Sequence, residues 1–346
     1  MSAARSMRAW QLPAGCTSVE QMALIEVPVP VPGPGEVLVR VRANSLNYRD
    51  QAIPKGQYFG GTIKVAGTPL SDGAGVVEAV GAGVKRLVPG DRVAGTFFQG
   101  WPEGPPTPLF GEALGAPPAK GMLAEYVTLP ETGVVKLAGS LSFEQAATLP
   151  CAGVTAWNAL MTGIRPLKSG STVLLIGTGG VSLLALQIAK AAGARVIATS
   201  SSEAKLERVR ALGADLTLNY RTEPQWGSKA AELAGGPVIN HVVEVGGLGT
   251  LAQSMQAVGF GGEIALIGVL SRQGDTNPMA LMVKGASLRG VFVGSAAMAR
   301  DLNTFVDRHG VKPVIDRVFE FADAKAAYAY QSSAQLFGKV VIAGPA

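Results

Sequence analysis

The segment TVLLIGTGGVSLLALQIAK, residues 172–190, decides the fold because a buried strand, a glycine turn and a helix follow one another in it. Gly177 would permit a tight turn, and Gly179 would let the backbone approach a pyrophosphate at the positive end of the helix beginning near Gly180. The last glycine of a G-x-G-x-x-G pattern is replaced by Ser182, which is small enough to keep helix and strand close. The segment predicts a dinucleotide-binding turn; a plain strand-to-helix turn is the alternative.

The chain around this turn alternates helices with short apolar runs from Ser140 onward. Ser142 and Gln145 form a candidate capping box that opens a helix. Predicted helices cover 180–192, 202–211 and 249–257, and near-continuous apolar strands lie between them. This alternation is typical of right-handed β-α-β units, so we expect an α/β fold with a doubly wound parallel sheet over 138–296.

The chain before this region has a different period. Up to about residue 137, apolar and polar residues alternate between turn signals, which predicts a small antiparallel barrel or sandwich. The final run FGKVVIAG, 337–344, is expected to return to this first domain. The Pro- and Gly-rich stretch 98–121 is open to two interpretations, a lid over a substrate or a packed surface crossing.

Composition limits the classes of function. The 346 residues are 47% hydrophobic, and 30 Lys and Arg against 25 Asp and Glu give a net charge of +5 without any long run of like charges. Nucleic-acid binding is therefore disfavoured, and small anionic ligands suit the charge equally well. Two cysteines cannot build a disulfide framework or a cysteine-rich zinc site. No signal-peptide pattern and no uninterrupted apolar run of 18 residues is present, so we expect a cytoplasmic protein without a membrane span.

The end of the second predicted strand bears on the choice of nucleotide. An NAD site normally has a carboxylate about 20 residues after the first glycine. The hydroxyls of Thr199, Ser200 and Ser201, followed by Lys205, suit a 2′-phosphate instead, so NADP(H) is favoured over NAD(H). Glu203 would repel that phosphate if it pointed inward, so this interpretation requires an exposed Glu203.

Taken together, the motifs of the chain resemble the medium-chain dehydrogenase/reductase superfamily, and within it the zinc-independent quinone oxidoreductase-like and zinc-less alcohol dehydrogenase-like proteins. The resemblance implies a GroES-like antiparallel β domain over 1–137, completed by 297–346, and a Rossmann domain over 138–296. It also implies a homodimer, since family sheets pair across subunits. The motifs are PGPGEVLVRV (32–41), NYRD (47–50), DGAGVVEAVG (72–81), PGDRV (89–93), ATLPCAGVTAWNAL (147–160), GTGGV (177–181), ALGAD (211–215) and FGKVV (337–341).

The resemblance also implies that no zinc is bound. Zinc-dependent members place a Cys where this chain has Asn47, and a His-Glu pair where it has Ser71 and Asp72. Only Cys151 falls where a third ligand would be, and one thiolate with one carboxylate falls short of three protein ligands. We favour a small buried structural role for Cys151.

Four residues are candidates for the catalytic work: Asn47, Tyr48, Asp50 and Tyr58. Asn47 would donate to the oxygen of the acceptor or to the ribose of the cofactor. Tyr48 would donate a proton or only wall the pocket, and both possibilities stay open. Capping of the following turn is the favoured role of Asp50, and packing in a loop is that of Tyr58.

The nucleotide site implied by the resemblance extends well beyond the glycine turn. Its candidate residues are Asn47, Thr155, Gly177, Thr178, Gly179, Gly180, Val181, Ser200, Ser201, Lys205, Tyr220, Gly246, Val269, Phe292, Val293 and Lys339. By the resemblance, Thr155, Gly246, Val269 and the backbone of Phe292 and Val293 would border the nicotinamide half of the cofactor.

Three functions compete on the sequence alone. Reduction of a simple ketone without zinc leaves an alkoxide beside no Lewis acid, whereas a quinone or an enone spreads the charge over a conjugated system that hydrogen-bond donors stabilise. We therefore expect an NADP(H)-dependent, zinc-independent reductase of quinones or α,β-unsaturated carbonyls. The alternatives are a zinc-less alcohol/aldehyde dehydrogenase and a catalytically silent nucleotide-binding sensor.

Overall fold

The computed structural model describes residues 5–59, 61–268, 270–271 and 273–345. It divides into two compact units: unit 1 comprises Met1–Val154 and Gly294–Ala346, and unit 2 comprises Thr155–Val293. The strands are β1 Ser6–Gln11, β2 Ala23–Pro28, β3 Glu36–Ser45, β4 Asp72–Val80, β5 Arg92–Gly95, β6 Tyr126–Pro130, β7 Val134–Lys136, β8 Thr172–Leu175, β9 Arg195–Ser200, β10 Leu216–Asn219, β11 Ile239–Glu244, β12 Glu263–Leu266, β13 Ser287–Gly290, β14 Ile315–Phe319 and β15 Lys339–Ala343. The α-helices are α1 Tyr48–Ala52, α2 Phe143–Ala147, α3 Val154–Met161, α4 Gly180–Ala191, α5 Glu203–Ala211, α6 Trp226–Ala234, α7 Leu248–Ala257, α8 Met279–Lys284, α9 Ala296–His309 and α10 Ala324–Gln331.

Unit 1 is built on a largely antiparallel sheet in the order β14-β15-β3-β4-β5-β7, with β6 also paired to β3. The expected return of the last segment is confirmed, because β15 pairs antiparallel with β3 and places Val341 opposite Ser45. Alternate residues of β3, including Val37, Val39 and Val41, are buried in an apolar core. The alternating pattern of the sequence therefore has the physical origin expected for a sheet with one buried face.

Unit 2 is a six-stranded parallel sheet in the order β10-β9-β8-β11-β12-β13, with helices between the strands. The strand order reverses at β8, which has β9 on one side and β11 on the other. Nucleotides bind at the carboxyl ends of strands beside such a reversal. The expected fold class, an antiparallel GroES-like domain with a Rossmann domain, is thus confirmed.

Sequence signals predicted the starts of helices α2 and α4 correctly but did not predict helix α6. The capping box of Ser142 and Gln145 is present at the start of α2, and α4 begins at Gly180 as expected. Helix α6, Trp226–Ala234, was not predicted from the sequence. Its buried residues pack with Leu251 and Met255 of α7, so a tertiary contact supports the helix. None of the described helices is long and apolar enough to cross a bilayer.

The division between the units falls at 154/155 and 293/294, whereas the sequence analysis put the boundaries at 137/138 and 296/297. Helix α2 and the π-helical turn Leu149–Gly153 lie in unit 1. A hydrogen bond of 3.3 Å from the Cys151 backbone N–H to the Asp72 carboxylate ties this turn to β4.

The stretch 98–121 is packed into unit 1 at both ends, whereas residues 102–108 are exposed. Phe98 and Trp101 are buried and form an aromatic cluster with Phe110, with the Phe98 and Phe110 ring centroids 4.4 Å apart. Phe98 also forms an antiparallel bridge with Ala113. This arrangement agrees with the packed crossing, one of the two interpretations that the sequence left open.

The pairing of β3 with β4 depends on a close approach at Gly75. A Cβ atom there would lie 2.1 Å from the Arg40 carbonyl oxygen, which is backbone and cannot move away cheaply. We predict that Gly75→Ala lowers the free energy of unfolding by about 2–3 kcal/mol, as measured by denaturant unfolding. Gly139→Ala is the matched control, because its Cβ would meet nothing within 4 Å. Equal stability of the two variants would contradict the close approach.

Candidate functional site

The glycine turn of unit 2 has the shape that a pyrophosphate requires. Gly177 adopts φ = +75°, a left-handed conformation that favours glycine. Gly179 is the N-cap of α4, and no side chain caps this helix end. A Cβ atom on either glycine would meet nothing within 4 Å, so the space in front of the helix is open. The residues present therefore fit a nucleotide phosphate, which the N–H groups of Gly179, Gly180 and Val181 would bind.

Ser182 explains how the turn tolerates the missing third glycine. Its side chain is buried, and its hydroxyl donates a hydrogen bond of 2.7 Å to the carbonyl oxygen of Ile176. The serine thus links α4 to the end of β8 at the place where glycine normally permits close packing. Thr178, between the two turn glycines, is also buried.

The end of β9 lies beside the turn and is lined by hydroxyls. Thr199 Oγ1 accepts a hydrogen bond of 3.3 Å from the Gly177 backbone N–H. Ser200 is buried and accepts from the Ser202 N–H at 3.3 Å, and Ser202 in turn accepts from the Lys205 N–H at 3.4 Å. These contacts fix the loop in which Ser201 is half-buried and from which α5 carries Lys205.

Glu203 is exposed, as the NADP(H) interpretation requires. Its carboxylate accepts a hydrogen bond of 2.5 Å from Asn219 Nδ2 at the end of β10. Tyr220 follows Asn219, is 40% exposed, and donates its backbone N–H to the Ser200 carbonyl oxygen at 3.1 Å. A polar partner therefore orients the one carboxylate that counts against a 2′-phosphate.

Glu244 is a residue of this region that sequence reasoning missed. It is fully buried at the end of β11, and its carboxylate accepts from the N–H groups of Gly246 at 2.7 Å and Gly247 at 3.1 Å. The hydroxyls of Thr250 and Ser254 also donate to it. A buried carboxylate with four donors fixes the loop that contains Gly246. The run EVGG directly after an apolar strand is the signal from which it could have been found.

Val293 has a backbone conformation unusual for its residue type. Its φ is +55°, and a β-branched residue in this region is strained by roughly 1–3 kcal/mol. The Asn158 side-chain amide donates a hydrogen bond of 2.7 Å to the Val293 carbonyl oxygen. Phe292 beside it is 45% exposed, and Thr155 is buried in α3. Val269 lies outside the described residues.

In unit 1, Lys339 is the centre of a buried polar cluster. Its ammonium donates to the carbonyl oxygen of Leu46 at 2.5 Å and to Asn47 Oδ1 at 2.6 Å, and lies 3.9 Å from the Asp72 carboxylate. Ser71 Oγ donates to Asp72 at 2.9 Å. Asn47 Nδ2 lies 3.4 Å from Ser71 Oγ. The amide oxygen therefore faces the ammonium, and the amide nitrogen faces Ser71.

Asp50 and Arg49 form the second part of this cluster. Asp50 Oδ2 accepts from the Asn47 backbone N–H at 2.7 Å, which is a capping role at the start of α1. Burial raises the pKa of Asp50 to about 6, against the opposing charge of Arg49. The guanidinium of Arg49 lies between the rings of Tyr58 and Phe97, 4.7 Å from each centroid. Among the described residues, Asp50 Oδ1 has no hydrogen-bond partner.

The two candidate tyrosines differ in exposure. Tyr48 is 55% exposed at the start of α1, next to Asn47. Tyr58 is half-buried against Arg49, and burial raises the pKa of its phenol. Tyr48 is therefore the better placed of the two to meet a ligand from solvent.

The donor set does not fit zinc. Lys339 places a positive charge beside Asp72 and engages the oxygen of Asn47, and burial together with the Asp72 charge raises the pKa of the Cys151 thiol. A divalent cation would need that thiol deprotonated and would be repelled by the ammonium. The described residues contain no cluster of three His, Cys, Asp or Glu side chains suited to a metal. His241 is buried in β11, and His309 ends α9.

Comparison with known proteins gives consistent matches for both units. Residues 33–139 match the family model of the alcohol dehydrogenase GroES-like domain, and residues 180–308 match that of zinc-binding dehydrogenases. A zinc-type alcohol dehydrogenase-like protein of Schizosaccharomyces pombe is 43% identical, over 88% of this chain and 90% of the relative. A 2-methylene-furan-3-one reductase of Solanum lycopersicum is 32% identical, over 88% of this chain and 71% of the relative. A solved structure of a putative alcohol dehydrogenase from Sinorhizobium meliloti 1021 is 41% identical, with a TM-score of 0.89 over 99% of both chains.

The raised pKa of Asp50 predicts how stability depends on pH. An acid whose pKa rises from 3.8 to about 6 on folding contributes most stability below pH 4, and this contribution is lost as the pH rises to about 6. Asn can still accept from the Asn47 N–H without carrying charge. We therefore predict that Asp50→Asn raises the free energy of unfolding at pH 7 by up to about 3 kcal/mol and changes it little at pH 4.

Urea unfolding between pH 4 and pH 8 measures this difference. Asp301→Asn, at an exposed position of α9, is the matched control and should leave the pH profile unchanged. A pH-independent loss of stability in Asp50→Asn would show that the carboxylate is not the titrating group.

Proposed function

Because the chain belongs to the medium-chain dehydrogenase/reductase superfamily, we propose that it is an NADP(H)-dependent, zinc-independent reductase of quinones or α,β-unsaturated carbonyls. Membership in the superfamily supports hydride transfer through a nicotinamide. Zinc independence, the preference for NADP(H) and the class of acceptor rest on residues of this chain.

The buried ammonium of Lys339 is the observation that carries the proposal. It contacts the residues at two of the positions where zinc-dependent relatives carry ligands, Asn47 at 2.6 Å and Asp72 at 3.9 Å. Chemistry in this unit must therefore use hydrogen-bond donors and a fixed protein charge. Such groups stabilise negative charge well when it is spread over a conjugated acceptor.

Asn47 is the proposed donor to the acceptor oxygen. Because Lys339 holds its amide oxygen and its Nδ2 lies 3.4 Å from Ser71 Oγ, the amide is oriented before a ligand arrives, and the second N–H is the one proposed to meet the acceptor. The phenol of Tyr48, 55% exposed and adjacent in sequence, is the proposed proton donor. When bound, NADPH supplies the hydride.

The 2′-phosphate is proposed to bind at the end of β9. Ser200 and Ser201 offer hydroxyls, and Lys205 offers a cation in the first turn of α5. Tyr220, partly exposed after β10, borders the same edge, because Asn219 is in register with Ser200. The preference for NADP(H) rests on these hydroxyls and on Lys205, while the Glu203 carboxylate, bonded to Asn219 at the same edge, opposes it.

A zinc-less alcohol/aldehyde dehydrogenase is the second candidate. The exposed hydroxyl of Tyr48 next to Asn47 favours it, because these two groups together would hold a carbonyl or alcohol oxygen. The cytoplasm is the proposed location, and neither Cys16 nor Cys151 forms a disulfide.

The proposed acceptor class and the proposed zinc independence predict activity in metal-free protein. Chelator-treated protein is expected to oxidise NADPH with benzoquinone, naphthoquinone or an enone, and to prefer NADPH to NADH. Absorbance at the NADPH band measures the rate with each acceptor, and an aldehyde serves as the comparison. Activity with aldehydes alone, or only after zinc is restored, would overturn the proposal.

The proposed 2′-phosphate site predicts that Lys205 contributes to NADPH binding and not to NADH binding. Lys205→Ala removes one charge-assisted hydrogen bond to the 2′-phosphate. We therefore expect KM for NADPH to rise about tenfold and KM for NADH to change little. Lys168→Ala is the matched control, because this exposed lysine precedes β8 and lies at the amino ends of the strands. Equal effects of Lys205→Ala on both nucleotides would remove Lys205 from the phosphate site.

A homodimer is proposed through the edge of the parallel sheet of unit 2. Among the described strands, β13 pairs only with β12 and leaves its other edge open. Directly before β13 in the sequence, α8 exposes Met279, Met282 and Val283, and β13 itself exposes Leu288. Exposed apolar side chains and an open strand edge are both suited to a second copy of the chain.

Substitution of this surface is expected to yield monomers. Val283→Lys places a charge where the side chain is 69% exposed, and Val31→Lys, at a valine 86% exposed in unit 1, is the matched control. Light scattering after size exclusion should give about twice 35.5 kDa for the parent and the control, and about 35.5 kDa for Val283→Lys. A monomeric parent protein would refute the dimer.

A further inference from the structure

We infer that Asn158 is a positioning residue of the nicotinamide site: its side-chain amide holds the Phe292–Val293 backbone in the conformation that receives the nicotinamide end of the cofactor. This inference rests on the proposed function, because it assumes that unit 2 binds NADP(H). Asn158 lies in α3 and was not among the residues that the sequence indicated.

Val293 has a strained backbone. Its φ of +55° is a conformation that a β-branched residue avoids unless its surroundings impose it. The residue is 5% exposed and directly follows Phe292, which is 45% exposed. Strained backbone of this kind tends to occur where a protein shapes a ligand site.

A hydrogen bond from Asn158 holds Val293 in this backbone conformation. Asn158 Nδ2 donates a hydrogen bond of 2.7 Å to the Val293 carbonyl oxygen, and the Asn158 side chain is buried. A short bond inside the protein is strong, and the alternative for this carbonyl is an unsatisfied buried acceptor. Rotation of the peptide away from its observed orientation would therefore break the bond.

Arg289 and Thr162 orient the Asn158 side chain. Arg289 donates to Asn158 Oδ1 at 2.9 Å and to the Asn158 carbonyl oxygen at 2.8 Å. The same guanidinium donates to the buried carboxylate of Glu263 at 2.7 Å. Thr162 Oγ1 also donates to Asn158 Oδ1, at 2.6 Å. With its oxygen held by two donors, the amide must present its N–H groups to Val293.

The three residues come from different elements of unit 2. Glu263 is the first residue of β12, Arg289 belongs to β13, and Asn158 belongs to α3. The buried ion pair fixes the guanidinium, and the guanidinium fixes the amide. The network therefore anchors the Val293 peptide to strands β12 and β13. This peptide is the one proposed to border the nicotinamide end of the cofactor.

Asn158→Asp is the variant that isolates this function. The substitution keeps an oxygen for Arg289 and Thr162 but turns the donor to Val293 into an acceptor, which repels the carbonyl. We expect binding of NADPH to weaken about tenfold and binding of 2′-phospho-ADP-ribose, which lacks the nicotinamide, to change less than twofold. Calorimetric titration of the purified protein measures both dissociation constants without turnover.

Asn240→Asp is the matched control, because this exposed amide at the start of β11 uses only its oxygen, which accepts from the Thr172 N–H at 2.8 Å. It should bind both ligands like the parent protein. Asn158→Ala is the second variant, in case the aspartate prevents folding, and it should weaken NADPH binding selectively as well. Circular dichroism and thermal unfolding establish that each variant is folded.

The outcomes separate the two proposals. If the parent protein binds neither ligand, the proposed function fails. If the parent binds both and the Asn158 variants weaken both equally or neither, the positioning role is overturned. Selective weakening of NADPH binding, together with normal binding by Asn240→Asp, supports the role of Asn158.

Discussion

The contact between the Lys339 ammonium and the Asp72 carboxylate is the constraint on which the polar interior of unit 1 depends. Both side chains are almost fully buried, and a buried charge without its partner costs about 3–5 kcal/mol. The ammonium lies 3.9 Å from this carboxylate and donates hydrogen bonds to the carbonyl oxygen of Leu46 and the amide oxygen of Asn47. One side chain of β15 therefore fixes the end of β3, the start of α1 and the start of β4.

This internal cation explains the chemistry that the unit supports. In relatives with catalytic zinc, the metal supplies the positive charge and its ligands supply the negative charge. Here the ammonium supplies the positive charge, Asp72 balances it, and the Asn47 amide is held with its oxygen on Lys339 and its nitrogen toward Ser71. Such an arrangement favours acceptors whose developing charge is delocalised, which is the reason for proposing quinones and enones.

Unit 2 uses the same device at other places, a buried carboxylate that organises backbone. Glu244 gathers four donors and fixes the loop of Gly246, and Glu263 holds Arg289 and through it Asn158. Ser182, in contrast, performs locally what a glycine usually does, by bonding to Ile176. Rigid loops at the carboxyl ends of β8, β11 and β13 follow from these contacts, and these are the ends at which a dinucleotide is expected.

The sequence by itself determined the fold class, the glycine turn, the capping box of α2 and the return of FGKVVIAG to the first sheet, because hydrophobic period and turn chemistry are local properties. It also identified Asn47, Asp72, Cys151 and Lys339 as residues to examine, through their positions in motifs. It did not find α6, Glu244 or Asn158, whose roles depend on partners far away along the chain. Only the tertiary structure decided that Lys339 contacts Asn47, 292 residues away, since long-range pairing of buried polar groups leaves no periodic trace in a sequence.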